Sequence, residues 1–327
     1  MYIHCTFELS MVLDSEKFHK VLAKKCDRSE YLEQNDEEYV DRSLVQGGIT
    51  VIYRDSQYKK KIRVIIDLSM DLKEKCDVIR TVCKLDKRME EYFGYRYRMN
   101  DFVLSAMVLA TDIDVGTHEN VLAYLKVLQR IGKVKGFSPS SYDCFETDES
   151  FCLDGNSNGI QFRIYDLESL FEHRLIRTDR NSRRRKAILK EARGILRAEV
   201  QLTKSKAVRA YTDTDDIAGQ IESLTKNCQD IFMDTFSHVI PYGDFYKKDK
   251  AVEIVRKEAT DSIMRRRMLR LLTLIPEKKS LHLAQKAVNC RNIMKIMDSF
   301  AKINLSPVTI SKRHGIKYLK NLYAYFR

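Results

Sequence analysis

Up to about Lys204 the apolar residues of this chain recur mainly at strand spacing, and beyond it at helical spacing. Val45–Asp55 and Lys61–Ser69 are rich in β-branched residues and flank a polar link, which predicts a hairpin. Leu72–Phe93 reads as a helix and Asp101–Val115 as the next long strand. His118–Ile131 places Val121, Leu122, Leu125, Leu128 and Ile131 at helical spacing, and Glu119 near its start suits the helix dipole. The glycine- and asparagine-rich Asp154–Gly159 predicts a turn into a strand over Ile160–Asp166, then a short helix over Leu167–His173. Gly194 introduces a further strand over Ile195–Thr203.

The remainder reads as helices over Asp215–His238, Lys247–Ala259, Asp261–Leu274, Ser280–Val288 and Cys290–Ile303, punctuated by Pro276 and Ser306-Pro307. Ser306–Tyr323 reads as a turn and a second helix, which suits either a helix-turn-helix-like unit or an ordinary bundle. The pattern predicts an α+β chain, with a strand-rich part over residues 1–205 and a helical domain over residues 206–327.

Strand alternation sorts the polar residues by face. Gln161, Arg163 and Tyr165 share one face of their strand, Arg197, Glu199 and Gln201 one face of theirs, and Asp112 and Asp114 one face of a third. If these strands pair, a tyrosine, several carboxylates and two arginines collect on one surface. Such a set suits phosphoryl transfer. A tyrosine hydroxyl attacks a phosphodiester, carboxylates hold a divalent cation, and arginine stabilises the phosphate oxygens. The solvated face of any antiparallel sheet gives the same alternation.

Charge favours a polyanionic partner. The net charge is +12, and each Lys or Arg set on a phosphate releases counterions. Arg174–Arg193 concentrates that charge in Arg174, Arg177, Arg180, Arg183, Arg184, Arg185, Lys186, Lys190 and Arg193, against Asp179 and Glu191. This segment suits either a grip on a DNA backbone or a solvated helix face. Arg265–Arg267 is open to the same two readings. The eight cysteines include no Cys-x-x-Cys and no cluster with histidine, so a zinc site of that kind is not expected. With no signal-peptide pattern at the N-terminus and no apolar run of about 18 residues, a reduced cytoplasmic protein is expected, with no membrane partner. His282 and His314 stand alone. For His118, beside the acidic strand end, a ligand role and an ordinary one both stay open.

The order of segments resembles the filamentous-phage gene II/X replication proteins and related plasmid rolling-circle initiators. It runs through Gly47–Ser69, Ala110–Leu125, Phe162–Leu167 and Leu196–Val200, covering roughly residues 45–205. The resemblance implies a Rep-type α/β nuclease domain, a central antiparallel sheet flanked by helices, that nicks one strand of an origin, single-stranded or hairpin, and remains on the 5′ end as a phosphotyrosine. It also implies Mg²⁺ or Mn²⁺, a host helicase and a DNA polymerase. Carried onto this chain, the tyrosine falls on Tyr165, the strand-end acid on Asp114, and the family's Arg-x-Glu on Arg197 and Glu199, with Asp112 standing where an arginine is common. Tyr165 and Arg197 are then the catalytic candidates. Asp112, Asp114 and Glu199 are the metal candidates, and Arg163, Arg177, Arg180, Arg183, Arg184, Arg185 and Lys186 the DNA contacts. A conjugative relaxase uses the same chemistry, and a non-catalytic DNA-binding regulator the same surface. Related initiators place the tyrosine just before a Gly-rich turn, where this chain has Phe151 and Cys152, with Tyr142 farther off.

Overall fold

A computed structural model describes residues 1–26, 32–68, 78–140, 150–178, 182–288 and 292–326. Ten strands among them form one antiparallel sheet. In spatial order these are β2 (Leu32–Asn35), β3 (Glu38–Asp41), β4 (Ile49–Asp55), β5 (Lys60–Asp67), β1 (His4–Leu13), β6 (Val103–Asp114), β10 (Ile195–Leu202), β9 (Ile160–Asp166), β8 (Ser150–Gly155) and β7 (Phe137–Pro139). The expected hairpin is β4–β5, and the expected strands over 101–115, 160–166 and 195–203 are β6, β9 and β10.

The sheet's two faces differ as the alternation requires. Phe7 and Leu9 of β1, Val64 of β5, Leu109 of β6, Val200 of β10 and Phe162 of β9 are fully buried. Helices cover this face. They include α1 (Ser15–Cys26), α2 (Val78–Tyr92), whose Val82, Leu85 and Met89 face inward, and α3 (His118–Leu128) against β8, β9 and β10. The opposite face carries the polar residues. Over β9 and β10 it is covered by α4 (Leu167–Thr178) and α5 (Ser182–Ala192).

The register between β6 and β10 has a backbone cause. Gly194 adopts φ +82°, and a Cβ there would stand 2.8 Å from the Gly116 carbonyl atoms. Only glycine accepts both the left-handed conformation and that approach. The Val115 N–H donates to the Gly194 carbonyl at 2.9 Å, which starts the ladder pairing Ile113 with Leu196, and Asp112 with Arg197. Gly116, at φ +87°, turns the chain into α3, where the Thr117 hydroxyl accepts the Asn120 N–H at 3.1 Å as an N-cap.

The later residues supply α6 (Ser205–Arg209), α7 (Ile217–Lys226), α8 (Cys228–Val239), α9 (Lys248–Glu258), α10 (Ser262–Lys278), α11 (Leu281–Val288) and α12 (Ile293–Lys302). The helix expected over Asp215–His238 breaks in two at Asn227. Pro276 does not end α10, because a proline in the last turn removes only one N–H bond before the helix stops at Lys278. The expected second helix over Ser306–Tyr323 does not form. Ser306, Pro307, Val308, Thr309 and Ile310 are all buried, and five buried residues in succession suit an extended segment, not a helix with one inward face. That segment bridges to Lys247, and the chain then pairs as β12 (Tyr318–Leu319) with β11 (Phe245–Tyr246). Asp244 ties the ends together, accepting the Asn321 N–H at 2.7 Å and the Asn304 amide at 3.1 Å. A helix-turn-helix over Ser306–Tyr323 is therefore excluded.

Sheet and helical half share one hydrophobic core. The Phe162 ring of β9 meets Phe236 of α8 at 6.0 Å, and Tyr124 of α3 donates to the Lys320 carbonyl at 2.6 Å. Among the described residues no helix is long and apolar enough to cross a membrane. Phe236→Ala should cost about 3–5 kcal/mol by opening a cavity at this junction. Denaturant unfolding followed by both circular dichroism and tyrosine fluorescence should show one shared transition, shifted to lower denaturant. Separate transitions for the two halves would contradict a shared core.

Candidate active site on the polar sheet face

The register of β6, β10 and β9 decides which side chains meet. Arg197 lies between Asp112 on β6 and Tyr165 on β9, and Glu199 lies between Ala110 and Arg163. Arg197 grips Asp112 through two parallel bonds, Nε to Oδ1 and Nη2 to Oδ2, both at 2.7 Å. Burial disfavours the Arg197 charge, but the Asp112 carboxylate outweighs that and holds the guanidinium's pKa above its ordinary value. The Tyr165 hydroxyl donates to Glu199 Oε1 at 2.5 Å, and the Gln201 amide donates to the other Glu199 oxygen at 2.8 Å. Two polar pairs thus lie side by side on neighbouring rungs of the sheet.

His4 of β1, not among the residues expected from the sequence, joins this face and brings Nε2 within 3.8 Å of Asp112 Oδ2. The signal was present as Ile3, Cys5, Phe7 and Leu9 alternating with His4, Thr6, Glu8 and Ser10. Farther along the same face Glu8 accepts two bonds from Arg63, at 2.7 and 3.0 Å. Burial would raise the Glu8 carboxyl, but Arg63 overcomes it and lowers the pKa.

Other expected residues are placed less centrally. Asp114 is exposed and turns back to accept the Gly116 N–H at 2.8 Å. Arg163 donates to Gln161 at 3.0 Å on the same face. On α5, Arg183, Arg184 and Lys186 are exposed, while half-buried Arg185 reaches Glu172 of α4 at 3.9 Å. Arg177 belongs to α4, but its side chain, like all of Arg180 and Tyr142, lies outside the described residues.

Tyr165 itself is covered. Its ring packs with Leu167, Leu170 and Ala192 of the α4–α5 pair and is only 3 % exposed. The three carboxylates named for a metal do not gather either. Both Asp112 oxygens go to Arg197, and both Glu199 oxygens are taken by Tyr165 and Gln201. Among the described residues, the group whose donor atoms all lie within 4.8 Å of one another is His118, Asp166 and Glu168, at the end of β9. No protein-family model and no curated protein matches this chain.

His4 gives this face a measurable titration. Burial lowers its pKa below the usual 6.5, with Asp112 pulling upward and Arg197 downward. The unfolded chain therefore binds this proton more readily, so His4 lowers stability as pH falls from 6.5 toward the folded pKa. An NMR titration should find His4 below 6.5, and Asp112→Asn should lower it further by removing the carboxylate and freeing the Arg197 charge. An upward shift in that variant would refute the His4–Asp112–Arg197 arrangement.

Proposed function

We propose that this chain is a DNA-binding replication initiator that opens one strand with Tyr165 as nucleophile. The observation that carries the reading is the 2.5 Å bond from the Tyr165 hydroxyl to Glu199, beside the Arg197 guanidinium. A free tyrosine hydroxyl is a poor nucleophile, and a carboxylate at that distance is placed to take its proton. As the hydroxyl oxygen attacks phosphorus, the proton passes to Glu199 and the 3′ oxygen leaves, so the 5′ phosphate becomes esterified to tyrosine. Arg197 is positioned to meet charge on the phosphate oxygens. The exposed arginines and lysine of α5 flank this place and suit contact with the DNA backbone. The segment order shared with rolling-circle initiators supports the same reading. It brings with it Mg²⁺ or Mn²⁺, which would polarise the scissile phosphate. It also brings an origin, a helicase and a polymerase as partners, and a conjugative relaxase would use the same residues.

The buried ring sets a condition. At 3 % exposure Tyr165 cannot reach a phosphodiester until α4 and α5 shift away from it. The same burial favours a second reading, a DNA-binding regulator in which the Tyr165–Glu199 pair only fastens α4–α5 to the sheet.

The two readings separate on single-stranded DNA from the protein's own genetic element, incubated with Mn²⁺ or Mg²⁺. An initiator forms a covalent protein–DNA adduct. Tyr165→Phe should abolish it, and Glu199→Gln should slow it about 10²–10⁴-fold. Leu170→Ala, by loosening the cover, should speed it. Binding without any adduct supports the regulator, and an adduct that persists in Tyr165→Phe rules out this nucleophile.

A further inference from the structure

We propose that His118, Asp166 and Glu168 form a binding site for a divalent first-row cation of the Mn²⁺, Fe²⁺ and Zn²⁺ group. Three elements converge there. His118 is the first residue of α3, Asp166 ends β9, and Glu168 lies in the first turn of α4. The His118 Nδ1 atom is enclosed yet makes no hydrogen bond. It lies 3.3 Å from Asp166 Oδ2 and 3.6 Å from Glu168 Oε2. At metal–ligand distances of about 2.1 Å, donors around a tetrahedral ion stand about 3.4 Å apart, close to both spacings.

The donors' charge points the same way. The Asp166 side chain is wholly buried, and a buried carboxylate requires compensation. It receives part of this from the Glu168 N–H at 3.1 Å on Oδ1 and the Ser169 hydroxyl at 2.8 Å on Oδ2. These bonds cap the start of α4 and leave room on Oδ2 toward His118. Among the described residues, the basic side chain paired with this group is Arg193, whose Nε stands 4.0 Å from Glu168 Oε2. A divalent ion would balance two carboxylates and use the idle imidazole nitrogen at once. One nitrogen and two carboxylate oxygens suit Mn²⁺, Fe²⁺ or Zn²⁺ better than Mg²⁺, which prefers oxygen and retained water. Three protein donors leave a coordination position for water or a phosphate oxygen.

The assignment rests on donor geometry and does not depend on the nicking reading, so the test uses the full chain without DNA. Titration with Mn²⁺, followed by electron paramagnetic resonance and calorimetry at pH 7.5, should show one saturable ion per chain and an imidazole nitrogen coupled to it. His118→Ala should lose that coupling and weaken binding about tenfold or more, as should Glu168→Gln. Saturating Mn²⁺ should raise the melting temperature of the unmodified chain and leave that of His118→Ala, folded by circular dichroism, nearly unchanged. No saturable binding up to millimolar Mn²⁺, or equal affinity in both variants, would overturn the proposal.

Discussion

Two glycines touching backbone to backbone govern what the polar face can do. Gly194 comes so close to Gly116 that any side chain on it would collide with a carbonyl, and this contact fixes where β10 begins relative to the end of β6. A slip of one residue would send Arg197 and Glu199 into the core and bring Leu196, Ala198 and Val200 out to solvent. With the register held, Arg197 faces Asp112 across one strand pair and Tyr165 across the other. The paired hydrogen bonds from Arg197 to Asp112 are then a consequence of backbone geometry. That pair also keeps a half-buried arginine charged beside the tyrosine.

The α4–α5 pair works against access to the same place. Leu167, Leu170 and Ala192 form a small cluster over Tyr165 that is separate from the main core. A satellite of that size buries far less apolar surface than the main core, and elements held by few apolar contacts open at lower free energy than the whole domain. On the proposed function, DNA held by the exposed basic side chains of α5 would favour that opening. On the proposed reading, cover and DNA contact belong to the same helix pair.

Much of this was legible in the residues. Strict alternation identified β9 and β10 and sorted their side chains to the correct faces, and helical spacing identified α3. Register was not legible. Asp112 and Asp114 share a face and an identity, yet only Asp112 meets Arg197, because Asp114 sits opposite Ile195 and turns to Gly116. The central strand β1 was missed as a strand although its alternation is plain, and His4 was missed with it. The stretch over Ser306–Ile310 is buried through tertiary contacts with residues 244–247, which no local pattern reveals. The His118–Asp166–Glu168 group has the same character. Asp166 and Glu168 lie close in sequence, but only the turn at Gly116 brings the start of α3 to the end of β9.

The central claim is that the Tyr165–Glu199 pair is chemical and not merely a clasp between helix and sheet. Tandem mass spectrometry of the chain after incubation with its own origin strand and Mn²⁺, following protease and nuclease digestion, tests this most directly. The account predicts a residual nucleotide attached to the hydroxyl of Tyr165. A nucleotide on any other tyrosine, or unmodified tyrosines throughout after origin DNA has been cut, would contradict it.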